Sequence, residues 1–461
     1  RNQGIRYIFF GGCTTFVNLG SYALLRTVLG VDMTLANVLA IFLSILFAYA
    51  VNKQFVFESR THGVRELAVE MGSFIGMRLS TMFIEVFGVV FLSCLFGIPE
   101  VGSKLALQVV VLVLNYIFSK VFVFSEKEKA PVNPVKRNCC ILGFAIPALT
   151  IALAFAVNQV FPFGDHGVLI IDSLHQYLPF FTEFHEKLEQ GSSLRYSFGG
   201  GLGFNFWATY AYYLASPLNF LMVLIPTENV CDFMDLMILL KIALCGGCFS
   251  WYLHKRDENR KYLPVVFGIM FALSNFVIGY YFNLMWLDSI VLFPLILMGM
   301  ERLINDKNGR LYAVTMGLAI FCNYYMAIMI CIFVVLYFFV IWFSRKREGV
   351  GQFFKSGFHF ALCSVLAGGL AGIYLFPTYY TLINSSQGSA PTSFKLYRNF
   401  LEIFRQQFAL VEPTELTGAP NIYCGVLLVM LVVFYAVSKN ISLREKIGRL
   451  LVTGFVLVSL N

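Results

Sequence analysis

Side chains able to move protons gather in one stretch of this 461-residue chain. Phe161-Pro-Phe-Gly164 leads into Asp165-His166, and Asp172-Ser-Leu-His175-Gln176-Tyr177 follows. Three of the 6 histidines lie between 166 and 185, so acids, bases and hydrogen-bonding groups are denser here than elsewhere. Arg195 and Asn205 bracket the run Tyr196-Ser-Phe198-Gly-Gly-Gly201-Leu-Gly203 and extend the polar set. On a helix, residues three apart share a face, so His175 could tune Asp172 or contact a phosphate. Partial withdrawal from water makes a carboxylate a better general base. Asp172 leads as such a base; a helix-capping or ion-paired carboxylate is its alternative. Asp165 is second, and Pro162 and Gly164 also suit a plain turn. Asp165, His166 and Asp172 could hold a divalent cation, but the acidic groups are too sparse to assign a metal, and no cofactor is expected. The glycine run is not a phosphate-cradling loop, because no Gly-Lys-Ser/Thr follows it.

Other candidates are scattered. Asp288 ends Asn283-Leu-Met-Trp286-Leu-Asp288, where it could be a third carboxylate of the site or an aromatic-belt anchor with a helix-start acid. Asn323-Tyr324-Tyr325 would form a polar outer tip able to line a sugar site. Lys395, Arg398 and Arg405 could serve an anionic ligand or a solvated helix. Arg78 and Glu85 fall seven apart inside an apolar run, where an ionisable group costs about 2.5–3.5 kcal/mol on insertion scales unless paired or hydrated.

The elements that must position these groups are membrane helices. Hydrophobic residues make up 58% of the chain and charged residues 13%, against about 45–50% and 25% in soluble domains. Lys and Arg total 34 against 26 Asp and Glu, a net charge of +8. These cations sit in short loops between apolar runs, which excludes a nucleic-acid binder and an ordinary cytosolic globule. Runs near the 20 residues needed to span occur at 5–28, 33–51, 67–97, 103–122, 138–161, 232–254, 263–282, 287–304, 311–323, 325–343, 356–377, 422–438 and 447–461. The loops 52–66, 119–138, 254–261, 302–310, 344–355 and 438–449 are rich in Lys and Arg, and those between them are poor. One orientation satisfies every short loop, with the N-terminus and the basic loops cytoplasmic. Residues 162–231 and 378–421 then lie outside, and the apolar stretch 217–226 is too short to span. The sequence starts at Arg1 and stops inside the run 450–460, so a longer parent protein is expected. Its 11 cysteines give no disulfide framework, and Cys245 and Cys248 beside Gly246-Gly247 suit helix packing.

The charged, proline-containing segment 126–137 divides the chain. Before it, Tyr49-Ala-Val-Asn-Lys53-Gln-Phe-Val-Phe57 aligns with Tyr116-Ile-Phe-Ser-Lys120-Val-Phe-Val-Phe124, as in two hairpins inserted in one orientation. With Arg6-Tyr-Ile-Phe-Phe-Gly-Gly12, Asn18 and Asn37, these closures make residues 1–125 resemble the GtrA-like family of four-span membrane proteins. That resemblance implies movement of polyprenyl-phosphate-linked sugars; from their place in the apolar run, Arg78 and Glu85 could meet a lipid phosphate or each pair with something structural, and Arg78 could snorkel to the cytoplasmic surface. Residues 138–461 resemble the YfhO family through Asp172-x-x-x-Gln176-Tyr177-x-Pro179-Phe180, Tyr196-Ser-Phe198 to Gly203, and Met285-Trp-Leu-Asp288, although full members continue further. This implies a kinship with multi-span GT-C glycosyltransferases, which carry a carboxylate in their first external loop; Asp172, or second Asp165, matches it.

The expected fold is an all-α integral membrane protein: a four-helix GtrA-like unit, then a multi-span GT-C-like unit with short interfacial helices in its external loops. The expected location is the bacterial cell membrane. The resemblances imply a glycosyltransferase that moves sugar from a polyprenyl-phosphate donor to an envelope polymer such as teichoic acid. His175, Gln176, Tyr177, Arg195, Asn205, Asn323, Tyr324 and Arg398 would bind substrate. Partners would be membrane lipid, the donor, the polymer acceptor and a cytoplasmic-side glycosyltransferase that makes the donor. The rivals are a non-enzymatic flippase and an assembly factor.

Overall fold

The computed structural model describes residues 3–25, 43–56, 71–72, 74, 78, 111–112, 115, 119, 134–260, 262–344, 349–384, 399–408 and 419–459. Chain contacts separate two units, Arg1–Pro131 and Val132–Asn461. The named elements are helices with no strand among the described residues, as an all-α membrane protein requires.

In the first unit, α1 (Gln3–Ala23) precedes a helical stretch over 43–51 that widens into a π-helical turn, Asn52–Val56. The Arg6 guanidinium donates to Phe55 O at 3.2 Å, and Phe10 stacks on Phe55 at 5.6 Å. The opening motif of the unit is therefore tied to its first closing motif. Tyr7, Ala48, Tyr49, Val56 and Phe74 form the small core. Lys53 lies over the Tyr49 ring at 5.7 Å, and Arg78 lies over Phe74 at 5.4 Å. Glu85, Phe57 and all of the second closure except Ser119 fall outside the described residues.

The second unit opens with α2 (Pro134–Val157), which begins inside the segment expected as linker. The segment 158–229 carries α3 (Leu178–Gln190) and α4 (Phe206–Thr209), with π-helical turns at Ser173–Tyr177 and Tyr210–Leu214 and a 3-10 helix at Pro217–Leu224. Then come α5 (Val230–Arg256), α6 (Leu263–Ala272), α7 (Asn275–Gly279), α8 (Leu284–Asp306), α9 (Arg310–Cys322), α10 (Tyr324–Ser344), α11 (Val350–Leu370) and α12 (Gly372–Ile383). The last are α13 (Phe400–Arg405), α14 (Val426–Val437) and α15 (Leu443–Ser459). Among the described residues, five helices are long and apolar enough to cross a membrane: 139–157, 227–256, 284–306, 324–344 and 350–370. The chain is a multi-pass membrane protein.

Two expected spans are broken. The run 263–282 divides at Leu273-Ser274, where Ser274 turns extended (ψ 152°) and Asn275 N bonds Tyr423 O at 2.8 Å. The run 356–377 divides at Ala371 into α11 and α12. With 13 residues, α9 reaches about 20 Å, short of the roughly 30 Å apolar thickness.

Small residues let α2, α5 and α6 approach closely. A Cβ at Gly143 or Gly268 would run into the Ser250 hydroxyl and Gly246 O, and one at Gly246 into Gly143 O. Gly246 and Ser250, four apart on α5, make the small-residue stripe by which membrane helices pack without a hydrophobic drive. The Cys245-to-Cys248 segment thus serves helix packing. A second core joins α8, α9, α10 and α11 through Ile296, Met300, Tyr312, Met316, Val334 and Ala367.

Candidate functional site

The segment 158–229 lies against the starts of α5, α8 and α10, and each attachment names its residues. Val168 N donates to both Asp235 carboxylate oxygens at 3.4 Å, and the Tyr281 hydroxyl donates to Val168 O at 2.8 Å. The Tyr177 hydroxyl donates to Asn283 Oδ1 at 2.9 Å. The Ser216 hydroxyl donates to Asp288 Oδ1 at 2.8 Å and caps the 3-10 helix by accepting from Leu218 N. The Asn323 amide donates to Tyr212 O at 2.9 Å, while its oxygen accepts from Met326 N at the start of α10.

Asp172 stands at the cap position of the turn Ser173–Tyr177, yet its carboxylate caps no backbone N–H. It is exposed and makes no ion pair with a described residue. His175 and Gln176 are exposed beside it. Behind them four pieces of chain bring aromatic rings together. Tyr213 lies 5.1 Å from both Tyr177 and Phe180 and 4.6 Å from Tyr212. Tyr212 meets Tyr324 at 5.7 Å and Tyr325 at 6.2 Å, and Tyr325 stacks on Trp286 at 6.3 Å. Burial, with smaller contributions from Asp172 and the neighbouring phenols, pushes the Tyr177 hydroxyl well above its ordinary range. Burial also raises the Tyr213 hydroxyl, with Tyr212 and Asp172 adding to it. These phenols stay protonated donors, and Asp172 borders the aromatic cluster because it opens the turn that ends in Tyr177. Rings offer flat apolar faces, hydroxyls offer directed bonds, and the carboxylate offers a proton acceptor.

A cleft of about 700 Å³ opens beside this cluster, between α3 and the glycine loop. Phe180, Glu183, Glu186, Lys187, Gly200 and Phe204 line it. The loop is a tight hairpin: Ser197 and Phe204 exchange backbone bonds of 3.0 and 2.9 Å, and Gly201 and Gly203 take φ of +56° and +101°. Only glycine adopts those angles cheaply.

The other candidates stand apart from the carboxylate. Asp165 and His166 occupy an exposed turn closed by His166 N to Gln159 O at 2.9 Å. Among the described residues no three His, Cys, Asp or Glu side chains gather as a metal set. Arg195 is exposed in the loop after α3. Asn205 uses both polar ends, capping α4 at Trp207 N and donating to Thr381 Oγ1 at 2.9 Å. Asn323 is not an exposed tip. It is fully buried under the 158–229 segment, because its amide satisfies the Tyr212 carbonyl there. Arg405 is exposed at the end of α13, whereas Arg398 and Lys395 lie outside the described residues.

Asp288 is inside the bundle. Lys241 of α5 donates to its Oδ2 at 2.7 Å and to Leu284 O at 3.2 Å, with Lys241 1% exposed. Sequence reasoning missed Lys241 and Asp235, although both are ionisable residues inside an apolar run, the signal that singled out Arg78. It also missed Tyr212 and Tyr213, which join the site only through the fold.

Comparison with known proteins places this geometry. The family described as "Bacterial membrane protein YfhO" matches residues 143–461, and the GtrA/DPMS transmembrane domain matches residues 6–124. The "Cell wall teichoic acid glycosylation protein GtcA" of Listeria monocytogenes serovar 1/2a is 40% identical over 124 residues, 27% of this chain and 86% of that protein. Its namesake in Listeria innocua is 39% identical over the same extent. The "Uncharacterized membrane protein YwcD" of Bacillus subtilis is 35% identical over 126 residues, 99% of its length. No solved structure gives a significant match. The first of these matches runs from the glycine-packed helices through the Asp172 segment to the last helix, and the chain therefore belongs to the YfhO family of bacterial membrane proteins, with a GtrA/DPMS transmembrane domain ahead of it.

Proposed function

We propose that this protein works in cell-wall glycosylation as a membrane glycosyltransferase. Its second unit moves a sugar from a polyprenyl-phosphate donor to an envelope polymer, and its first unit presents or flips that donor. The observation that carries the reading is Asp172, a carboxylate uncapped and unpaired among the described residues, at the rim of an aromatic cluster. The role that names the GtcA relatives, cell wall teichoic acid glycosylation, supports the acceptor class.

In the proposed step, Asp172 takes the proton of an acceptor hydroxyl as that oxygen attacks the anomeric carbon of the donor. The bond from that carbon to the phosphate oxygen breaks, and the prenyl phosphate leaves with the electron pair. His175, beside Asp172, faces the leaving phosphate, and the Tyr177–Tyr213–Tyr212 rings hold the sugar. Tyr177 is itself held by Asn283, so the platform does not depend on substrate for its shape. The test is Asp172→Asn in cells lacking the wild-type protein, reading sugar on the polymer. Loss of decoration at normal expression is expected, and unchanged decoration removes the proposal.

A donor flippase is the second reading. Arg78, held over Phe74 inside an apolar run of the first unit, favours it. Purified protein given donor and acceptor on the same side of the membrane separates the two, since only the transferase makes product there.

A further inference from the structure

The three helices against whose starts the 158–229 segment lies enclose a second site at their ends. A cavity of about 380 Å³ is lined by Lys255 and Arg256 of α5, Glu301 of α8, Tyr337 and Val340 of α10, and Arg449 of α15. An adjoining cavity of about 290 Å³ shares Lys255, Arg256 and Glu301. From Asp235, which holds the 158–229 segment, to Arg256 is about 30 Å along α5. That equals the hydrocarbon thickness of a bilayer. The cavity therefore lies at the opposite membrane surface from Asp172, beside the basic loops.

Its lining is cationic. The one carboxylate among the larger cavity's described lining residues, Glu301, is already held by the Tyr252 and Tyr337 hydroxyls at 2.9 and 2.8 Å and by Arg256 Nε at 3.4 Å. Lys255 and Arg449 pair at 2.7 and 2.8 Å with Glu258 and Glu445, three and four residues away in sequence, and such partly exposed local pairs are a class worth little. The Arg449 Nε is buried and has no hydrogen-bond partner among the described residues. A buried guanidinium N–H without an acceptor is costly, and a phosphate oxygen would satisfy it. One wall, Val340 and Ile341, is apolar, and the adjacent Phe339 and Phe343 of α10 are exposed at 41% and 59%, as lipid-facing side chains are.

We propose that this cavity binds the phosphate headgroup of an anionic membrane lipid, with the acyl chains running along α10. The phosphate bridges Lys255 and Arg449 and accepts from Arg449 Nε. The site is independent of the sugar-transfer reading, because it uses none of its residues.

The experiment reconstitutes the full chain in nanodiscs of phosphatidylcholine doped with phosphatidylglycerol and counts retained lipids by native mass spectrometry. Wild type is expected to retain phosphatidylglycerol over phosphatidylcholine. Arg449→Gln and Lys255→Gln should each lower that preference about fivefold, as expected for one basic charge at an anionic surface. Both substitutions spare the Tyr252–Glu301–Tyr337 contacts, and an unchanged helical melting curve shows that the bundle persists. Wild type without preference, or both variants retaining lipid as wild type does, overturns the proposal. Displacement of the lipid by millimolar inorganic phosphate overturns its lipid assignment.

Discussion

Asp172 and Asp288 are both carboxylates close in sequence to aromatic residues, and the fold treats them oppositely. Asp288 is taken into the bundle, where Lys241 holds one oxygen at 2.7 Å and Ser216 the other at 2.8 Å. Asp172 remains at the surface with no cap and no ion partner among the described residues. The difference lies in what each neighbourhood supplies. A charge inside an apolar bundle persists only when paired and hydrogen-bonded, so its bonding capacity is spent on joining α5, α8 and the segment at Ser216. A charge at the edge keeps its lone pairs free for a substrate. Asp288 thus acts on the site by fixing where the external segment sits.

The sharpest way to break this comparison is Lys241→Met. It leaves Asp288 buried without its cation and should cost about 3–5 kcal/mol, seen as a large fall in thermal stability in detergent. Lys241→Met with Asp288→Leu should recover much of that loss, since replacing both charges removes the unpaired one. If the single variant melts like wild type, the pair does not organise the bundle.

Asp172→Asn tests the other side. An exposed side chain with no described partner should change stability by no more than about 0.5 kcal/mol, while loss of a general base should slow transfer about 10²–10⁴-fold. A stability loss comparable to that of Lys241→Met would place Asp172 in the same structural class as Asp288.

Gly246→Val comes next and touches neither carboxylate. Its added side chain meets Gly143 O and Pro147, forcing α2 from α5 at an overpacking cost of about 1–3 kcal/mol. Lowered melting with unaltered activity in the surviving fraction is the expected outcome.

Much of this architecture was legible in the sequence. Apolar run length marked α2, α5, α8 and α10, because a helix in lipid must satisfy its own backbone bonds. The breaks at Ser274 and Ala371 were not legible, since they depend on tertiary partners such as Tyr423 O. The segment carrying Asp172 was visible as a density of polar types. Its aromatic backing was not, because Tyr212 and Tyr324 are far apart in sequence and meet only when α10 packs beneath the Tyr210–Leu214 turn. Asn323 misled for a related reason. A polar residue between two apolar runs suggests a loop tip, but here it serves as a buried cap that also holds Tyr212.

Tyr177 joins the two regions, since its ring is in the aromatic cluster and its hydroxyl reaches Asn283 at the start of α8. Tyr177→Phe keeps the ring and removes the bond, so it should cost about 1 kcal/mol. The pH response gives a second reading of the same contact. Burial raises the folded phenol above the ordinary value of about 10, so the folded state holds that proton more tightly than the unfolded chain. The contribution is therefore complete below about pH 10 and is lost as pH rises toward the folded value. Wild type should lose stability on that alkaline limb more steeply than Tyr177→Phe, with the two curves parallel near neutrality. If the two curves stay parallel throughout, the hydroxyl is hydrated rather than buried against Asn283, and the aromatic platform is not rigidly joined to α8.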